Sequence, residues 1–259
     1  MLYRKMGLVA AALAMSLTVF AGAAKAEDAP TPKDIIAKYV KATGGEAAWK
    51  GVKSRSSKGT LVVVAMGMNG TMTQYVQGDD AKSIMALDGF GEFLSGMKDG
   101  KLWSSNMMQG DVILEGAEAE AAKQQFDAQQ WLHWEQYYPK AETVGEEAVG
   151  DKTCWKVTLT PAAGEAVTNW YDKESGLLIQ SVGPGMGGGP ATTTYKDYKA
   201  VDGLTVAHAM SIEGANGPVE ITFESMEFNK EIDAANFEVP AGIAALLNPG
   251  AAPAAAPAN

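Results

Sequence analysis

The sequence predicts a mainly β protein with one antiparallel sheet of about eleven strands. Residues 143–182 contain four short β-runs separated by turn signals, a pattern typical of an antiparallel meander. Within it, Trp155, Val157 and Leu159 alternate with polar residues, which gives one apolar face. Only two stretches, 31–50 and 116–138, have a helical pattern. Because an apolar sheet face must be covered, we expect those helices to lie on it.

The N-terminal 26 residues resemble a secretory signal peptide. Arg4 and Lys5 precede an apolar run, and Ala24-Lys25-Ala26 forms an A-x-A cleavage site. No cysteine follows this site, so lipidation there is not expected. The sequence predicts a soluble periplasmic protein with one domain at residues 27–247. Residues 248–259 are rich in Ala and Pro and are predicted to be a disordered tail.

The charge and cysteine content limit the possible partners. The chain has 21 basic and 31 acidic side chains, a formal charge of −10. Removal of residues 1–26, which contain three basic residues and no acid, makes this −13. An acidic surface argues against nucleic acid and against anionic membranes. The single cysteine, Cys154, excludes an internal disulfide, so a packed core must hold the fold.

The first predicted elements are helical. Thr31 followed by Pro32 predicts a helix start, and Gly44-Gly45 predicts its end. A short helix at 46–50 is expected to dock Trp49 on the core.

The β-rich region follows. The run 61–66 does not alternate, which predicts a strand covered on both faces. Met68-Asn69-Gly70-Thr71 is predicted to be a tight hairpin turn. Outside the central meander, further strands are predicted at 72–77, 82–87, 92–97, 101–104, 192–198, 204–212 and 219–228. Between 115 and 138 the composition favours helix up to about residue 130, and Pro139 ends the segment.

Three stretches resemble a known family. Asp99-Gly100-Lys101-Leu102-Trp103 and the ending 233–242, DAANFEVPAG, resemble motifs of the periplasmic outer-membrane lipoprotein carriers, the LolA-like family. Thr43-Gly44-Gly45 with Trp49 beyond it resembles a lipoprotein-sorting-like branch. The likeness is spread over residues 31–245.

This resemblance implies a strongly curved sheet, an unclosed half-barrel with helices covering its concave face. In the carriers, the cavity so formed shelters the acyl chains of a lipoprotein. The carriers keep an arginine-proline pair after the first hairpin, whereas this chain has Asp79-Asp80-Ala81-Lys82. The sequence therefore favours a lipid-like guest in general over lipoprotein transfer in particular.

Methionines mark the predicted binding surface, since seven of them lie between Met66 and Met108. Methionine is flexible and suits an apolar surface that accepts variable shapes, although it is also an ordinary core filler. The residues predicted to line the cavity are Met66, Met68, Met85, Phe90, Phe93, Met97 and Trp103. Phe126, Trp131 and Trp134 are predicted to form the underside of a movable lid, with a static sealing helix as the alternative.

The residues that could carry catalysis or hold a cofactor are more simply explained as structural residues. His208 shares a predicted strand face with Val206 and Met210, which favours a core histidine. His133 has no second histidine nearby for a zinc site. Cys154 is predicted to be shallow, on the polar face of its strand, with no histidine placed beside it. Residues 185–189, GMGGG, lack the lysine of a phosphate loop.

These observations together predict a binding or carrier protein without catalysis, cofactor or metal. Its expected partners are a lipid or lipidated protein and a membrane-associated donor or acceptor protein. The alternatives are a structural or partner-binding domain with a filled core and, less favoured, a hydrolase.

Overall fold

The computed structural model describes residues 29–185 and 188–249. The predicted signal peptide and nearly all of the predicted tail lie outside these residues, as do two residues of the predicted 185–189 loop. Within the described ranges, no helix is both long and apolar enough to cross a membrane.

The fold is one antiparallel sheet of thirteen strands, which confirms the predicted class. The strands are β1 (Ser54–Val63), β2 (Met68–Gln77), β3 (Asp80–Leu87), β4 (Gly91–Lys98), β5 (Lys101–Asn106), β6 (Gly110–Ile113), β7 (Lys140–Val149), β8 (Lys152–Thr160), β9 (Val167–Asp172), β10 (Leu178–Pro184), β11 (Pro190–Val201), β12 (Leu204–Gly214) and β13 (Gly217–Phe228). Their spatial order is β6-β5-β4-β3-β2-β1-β13-β12-β11-β10-β9-β8-β7. The sheet has two edges, β6 and β7, and is therefore an open half-barrel. Of the thirteen strands, β6 was not predicted.

Four of the helices lie on the concave face: α1 (Pro32–Ala42), α2 (Glu46–Lys50), α3 (Gly116–Phe126) and α4 (Trp134–Tyr137). Thr31 caps α1 by accepting a 3.2 Å hydrogen bond from the Asp34 amide. The buried stripe of α1, including Ile36, packs on Val157 and Leu159 of β8. The apolar face of the central meander is thus covered, as its alternation predicted.

The helices α2 and α3 cover other parts of the same face. Trp49 of α2 donates a 3.0 Å hydrogen bond from Nε1 to Thr43 Oγ1 and meets Phe228 of β13 edge to face. Phe126, at the end of α3, packs on Val76 and Leu102. The helices that precede β1 and the segment between β6 and β7 therefore share the task of covering the sheet.

A fifth helix, α5 (Ala241–Leu247), lies on the convex face, which the sequence did not predict. Trp103 is fully buried there against Ile243 and Leu247. The chain reaches this helix along the back of the sheet, where Phe237 meets Tyr75 and the Glu238 carbonyl accepts a 2.6 Å hydrogen bond from Lys82 Nζ. The sequence predicted helices on the concave face alone, and α5 corrects this because Trp103 gives the convex face an apolar site of its own.

The first hairpin turn lies at residues 64–67 and not at Met68–Thr71, which belongs to β2. A 3-10 turn at Val64–Met66 ends at Gly67, whose φ of 61° is the left-handed conformation. Gly70 sits inside the sheet, where a side chain would collide with the carbonyl oxygen of Ala86. Close packing between strands, and not a turn, explains this glycine. The apolar run 61–66 is likewise only partly buried, because Val64 and Met66 are exposed.

We expect Ile243→Ala to lower the free energy of unfolding by about 2–5 kcal/mol, since the fully buried side chain seals Trp103. Leu246→Ala in the same helix is the matched control, because Leu246 is exposed; its effect should stay within about 0.5 kcal/mol. Urea unfolding measures both. Equal effects would show that α5 does not seal the convex face.

Candidate functional site

The strand register arranges the concave side chains of β1–β5 in rows across the sheet. The row under α3 contains the apolar residues Val76, Ala81, Met97 and Leu102, with Arg55 at its β1 end. The next row is polar and contains Ser57, Gln74, Ser83, Ser95 and Ser104. The third row is apolar again and contains Met72, Met85 and Phe93. The concave surface therefore has two apolar bands separated by neutral hydroxyl and amide groups.

Four of the predicted lining residues lie on this concave face, namely Met68, Met85, Phe93 and Met97. All four are half-buried. Met97 packs with the cluster around Phe126, whereas Met85 and Phe93 lie opposite each other in the outer apolar row. Their role in binding stays a prediction, and their placement on one face is compatible with it.

The other three predicted lining residues lie elsewhere, and their assignment to the cavity is corrected. Trp103 follows Leu102 directly in β5, so it points to the convex face, where α5 buries it. Met66 and Phe90 lie in hairpin turns and are 58% and 52% exposed. A one-residue difference in a strand reverses the face of a side chain, which explains how Trp103 was misplaced.

The predicted lid residues are split between two packing clusters. Phe126 is buried under α3 with the β2–β5 residues. Trp131 and Trp134 are half-buried and pack against the cluster around α1, where Trp131 meets Tyr39 edge to face at 5.6 Å. The segment 116–138 therefore contacts the sheet at one end and α1 at the other. Whether it moves as a lid stays a prediction.

A cavity of about 520 Å³, here called the Arg55 cavity, lies between the start of β1 and the end of α3. Its lining includes Val52, Ser54, Arg55, Val76, Met97, Phe126, Asp127, Gln129 and Tyr137. Arg55 contributes one Nη atom to hydrogen bonds with Gln74 Oε1 at 2.9 Å and with the Gln125 carbonyl at 3.3 Å. This contact joins the sheet to the C-terminal end of α3.

Burial governs the electrostatics of Arg55. Desolvation lowers the pKa of its guanidinium, and the nearby Asp127 carboxylate partly opposes this shift. Its Nε is buried and has no hydrogen-bond partner among the described residues. Sequence reasoning missed Arg55 because a lone arginine at the start of a strand resembles a surface residue. The residues next to Arg55 in the sequence do not indicate that α3 covers it.

A second cavity, of about 530 Å³, lies on the other side of α3 and is here called the α3 cavity. Its lining includes Ala117, Ala119, Ala121, Gln124, Tyr138, Pro161, Ala162, Ala163, Val167 and Pro184. Small apolar side chains from α3 thus face the β8–β9 turn across an open space. Both cavity volumes fall within the range of small-molecule sites in proteins.

Neutral polar groups form the inner end of the α3 cavity. Gln124 Nε2 donates hydrogen bonds to Tyr138 Oη at 2.9 Å and to Gln130 Oε1 at 3.2 Å. Burial raises the pKa of the Tyr138 hydroxyl, and it raises the pKa of the nearby Tyr195 to about 12. Both hydroxyls are uncharged at neutral pH, as an unshifted tyrosine hydroxyl with a pKa of about 10 also is. The sequence showed the alanines of α3 only as helix formers and gave no sign of this cavity.

The candidate catalytic residues lie apart. Cys154 is on the convex side of β8 and His208 on the concave side of β12, where its Nδ1 lies 3.0 Å from the Val206 carbonyl. His133 Nδ1 is 3.8 Å from Asp127 Oδ2. Cys154 is fully buried, which corrects its predicted shallow position, and desolvation raises the pKa of its thiol. Across residues 29–185 and 188–249, no cluster of three or more His, Cys, Asp or Glu side chains could hold a metal.

The open antiparallel sheet with its helix-covered concave face is a LolA-like fold. Solved structures confirm the fold. A LolA superfamily protein from Nitrosomonas europaea is 12% identical with a TM-score of 0.56, and the match covers 82% of this chain and 99% of that chain.

Two further structures share the fold. An outer membrane lipoprotein-sorting protein domain from Vibrio parahaemolyticus is 14% identical with a TM-score of 0.53, covering 79% of this chain and 95% of that one. A DUF1329 family protein from Desulfovibrio piger is 13% identical with a TM-score of 0.53, covering 80% and 96%. At these identities the likeness is one of fold. No protein-family model and no curated protein matches the chain.

Burial of Cys154 generates a testable expectation. Cys154→Ser should lower the free energy of unfolding by about 1–3 kcal/mol, because the hydroxyl replaces a weakly polar thiol at a fully buried position. Cys154→Ala is the control without a polar atom. In the native protein the thiol should react with an aromatic disulfide reagent only after denaturant is added. Rapid labelling of the folded protein would contradict the burial.

Proposed function

We propose that the protein binds an apolar, lipid-like guest beside α3 and shields it from water. The observation that carries the proposal is the α3 cavity, an apolar space of about 530 Å³ bounded by the alanine face of a helix. Burial of acyl methylenes there would contribute about 0.8 kcal/mol each. No step of this function requires catalysis.

The few buried contacts of α3 are compatible with a helix that a guest can displace. Phe126 is the one fully buried side chain of α3, and Ala119 and Ala122 add small contacts to the same cluster. A helix with few buried apolar contacts belongs to the less stable parts of a fold. Displacement of α3 would also release Met97, and with it the apolar row of the sheet, for contact with the guest.

The charge of the lining restricts the guest. The α3 cavity contains no Lys or Arg among its lining residues, and its charged members are Glu120 and Glu165. An anionic headgroup would meet these acids without a cation to pair with. Gln124 and Tyr138 offer hydrogen bonds to an uncharged group instead. We therefore propose an acyl chain with a neutral ester, amide or hydroxyl head, whether free or attached to a protein.

The cellular setting belongs to the same proposal. If residues 1–26 direct export, the domain acts in the periplasm as a carrier between a membrane-associated donor and acceptor. The fold of the sorting domain from Vibrio parahaemolyticus supports this setting by analogy alone. The rival function is a partner-binding domain whose concave face is filled.

Substitutions on two neighbouring positions of α3 separate these functions. Ala121 is exposed and lines the α3 cavity, whereas Ala122 packs on the Phe126 cluster. Ala121→Phe should fill the cavity, reduce guest binding about tenfold or more and leave the melting temperature nearly unchanged. Ala122→Phe should overpack the cluster and destabilise by about 1–3 kcal/mol.

The measurements are thermal melting and binding of a fluorescent monoacylglycerol, together with mass spectrometry of lipids extracted from the purified protein. Absence of any bound lipid and of probe binding by the unmodified protein would favour the filled-core rival. Equal loss of stability in both variants would show that no cavity separates the two alanines.

The neutral lining generates a separate expectation. A fluorescent monoacylglycerol should bind more tightly than a fatty acid of the same chain length at pH 8, where the fatty acid is ionised. Glu165→Lys supplies the missing cation and should strengthen fatty-acid binding severalfold while leaving the neutral probe unchanged. Preference of the unmodified protein for the fatty acid would contradict the proposed guest.

A further inference from the structure

Large apolar side chains are exposed at one end of the sheet. Met66 lies in the β1–β2 turn, Phe90 in the β3–β4 turn, and Met107 and Met108 in the β5–β6 turn. The two β5–β6 methionines are 76% and 77% exposed. Exposed side chains of this size are uncommon in groups, and neither the packed core nor the two cavities includes them.

The three turns lie at the same end because the strands of a meander alternate in direction. In β1–β6 the first, third and fifth connections share one end of the sheet. Strands are about 4.8 Å apart, so these hairpin tips should span about 20 Å across this end of the sheet. Gly91 is close enough to Met107 that a side chain there would meet its sulfur, which shows that the second and third tips adjoin. We call this set of tips the apolar rim.

The charge of the apolar rim indicates its partner. Residues 64–67, 88–90 and 107–109 contain no Lys or Arg, and Asp88 is their one charged residue. Glu92 and Asp111 follow just beyond the second and third tips. An anionic surface would be repelled by these acids, whereas a zwitterionic lipid surface would not. The rim is thus suited to apolar insertion without electrostatic attraction.

The apolar rim continues into the concave face. Met68 begins β2 directly after the first tip, and Phe93 follows the second tip by three residues; both face the concave side. A lipid entering from the rim would therefore pass from exposed apolar tips to half-buried apolar side chains. A flat protein partner has no equivalent need for separate projecting tips or for this continuity.

We propose that the apolar rim is a docking site for a zwitterionic lipid surface, into which the three hairpin tips insert. This interaction goes beyond guest binding and can occur without it. Its driving force is burial of the four tip side chains, so it should depend little on salt.

The test is co-sedimentation of the protein with phosphatidylcholine vesicles. The protein used lacks residues 1–26, because their apolar run could itself bind lipid. The rim variant, Phe90→Asn with Met107→Gln and Met108→Gln, removes three of the four apolar side chains of the rim. The matched control, Val144→Gln with Leu246→Gln, removes exposed apolar surface from the β7 edge and from α5. Thermal melting confirms that both variants fold.

The unmodified protein and the control should bind the vesicles, and the rim variant should bind about tenfold or more weakly in both low and high salt. Equal binding by the rim variant, or no vesicle binding by the unmodified protein, would overturn the proposal. Self-association that the rim variant abolishes, in the absence of vesicle binding, would assign the rim to a second copy. Ala121→Phe should keep vesicle binding, which distinguishes failure of the rim from failure of the guest site.

Discussion

The pairing of β1 with β13 makes this molecule one sheet. Without it, β1–β6 and β7–β13 would be two separate meanders, because no other strand pair joins them among the described residues. The ladder runs from Arg55–Phe228 to Val63–Val219, with an irregularity between Lys58 and Gly59. A side chain at Gly59 would collide with the Thr222 carbonyl, so the close approach of the two strands requires glycine there. Residues far apart in the chain thereby come to share one concave surface.

A single open sheet of this size cannot cover its own concave face. The chain covers it with segments from two places, residues 31–50 before β1 and residues 116–138 between β6 and β7. The α1 cover is secured by large buried side chains such as Ile36, whereas α3 relies on Phe126 and on alanines. Because small side chains fill less space, cavities remain on both sides of α3. The small side chains of α3 thus leave the space that the proposed guest would occupy.

Arg55 is the cation that the sheet places beside α3, whereas the charged side chains that line the α3 cavity are the acids Glu120 and Glu165. Serines and Gln74 separate the apolar bands of β1–β5, and burial raises the pKa of the Tyr138 and Tyr171 hydroxyls. The hydrogen bond from Arg55 to the Gln125 carbonyl links the weakly packed helix α3 to the sheet. A guest site and an exposed rim at the end of the strands would together connect a membrane surface with a sheltered space. The rim lies beside the concave face because the hairpin turns are at the ends of the same strands that form that face.

Much of the secondary structure could be predicted from the sequence, since most strands, turns and helix caps depend on local residues; β6, α5 and the first hairpin turn could not. The alternation around Val157, the turn at Asp99-Gly100 and the cap at Thr31 could all be predicted, and so could the need for helices on the apolar face. The faces of individual side chains near chain reversals could not: Trp103 and Met97 were placed together, yet they lie on opposite sides of the sheet. Three features depend on tertiary packing and could not be predicted: α5 covers the convex face, Arg55 meets the end of α3, and Cys154 is buried. The physical reason is that burial depends on which distant segment packs on a residue, and a local pattern does not contain that information.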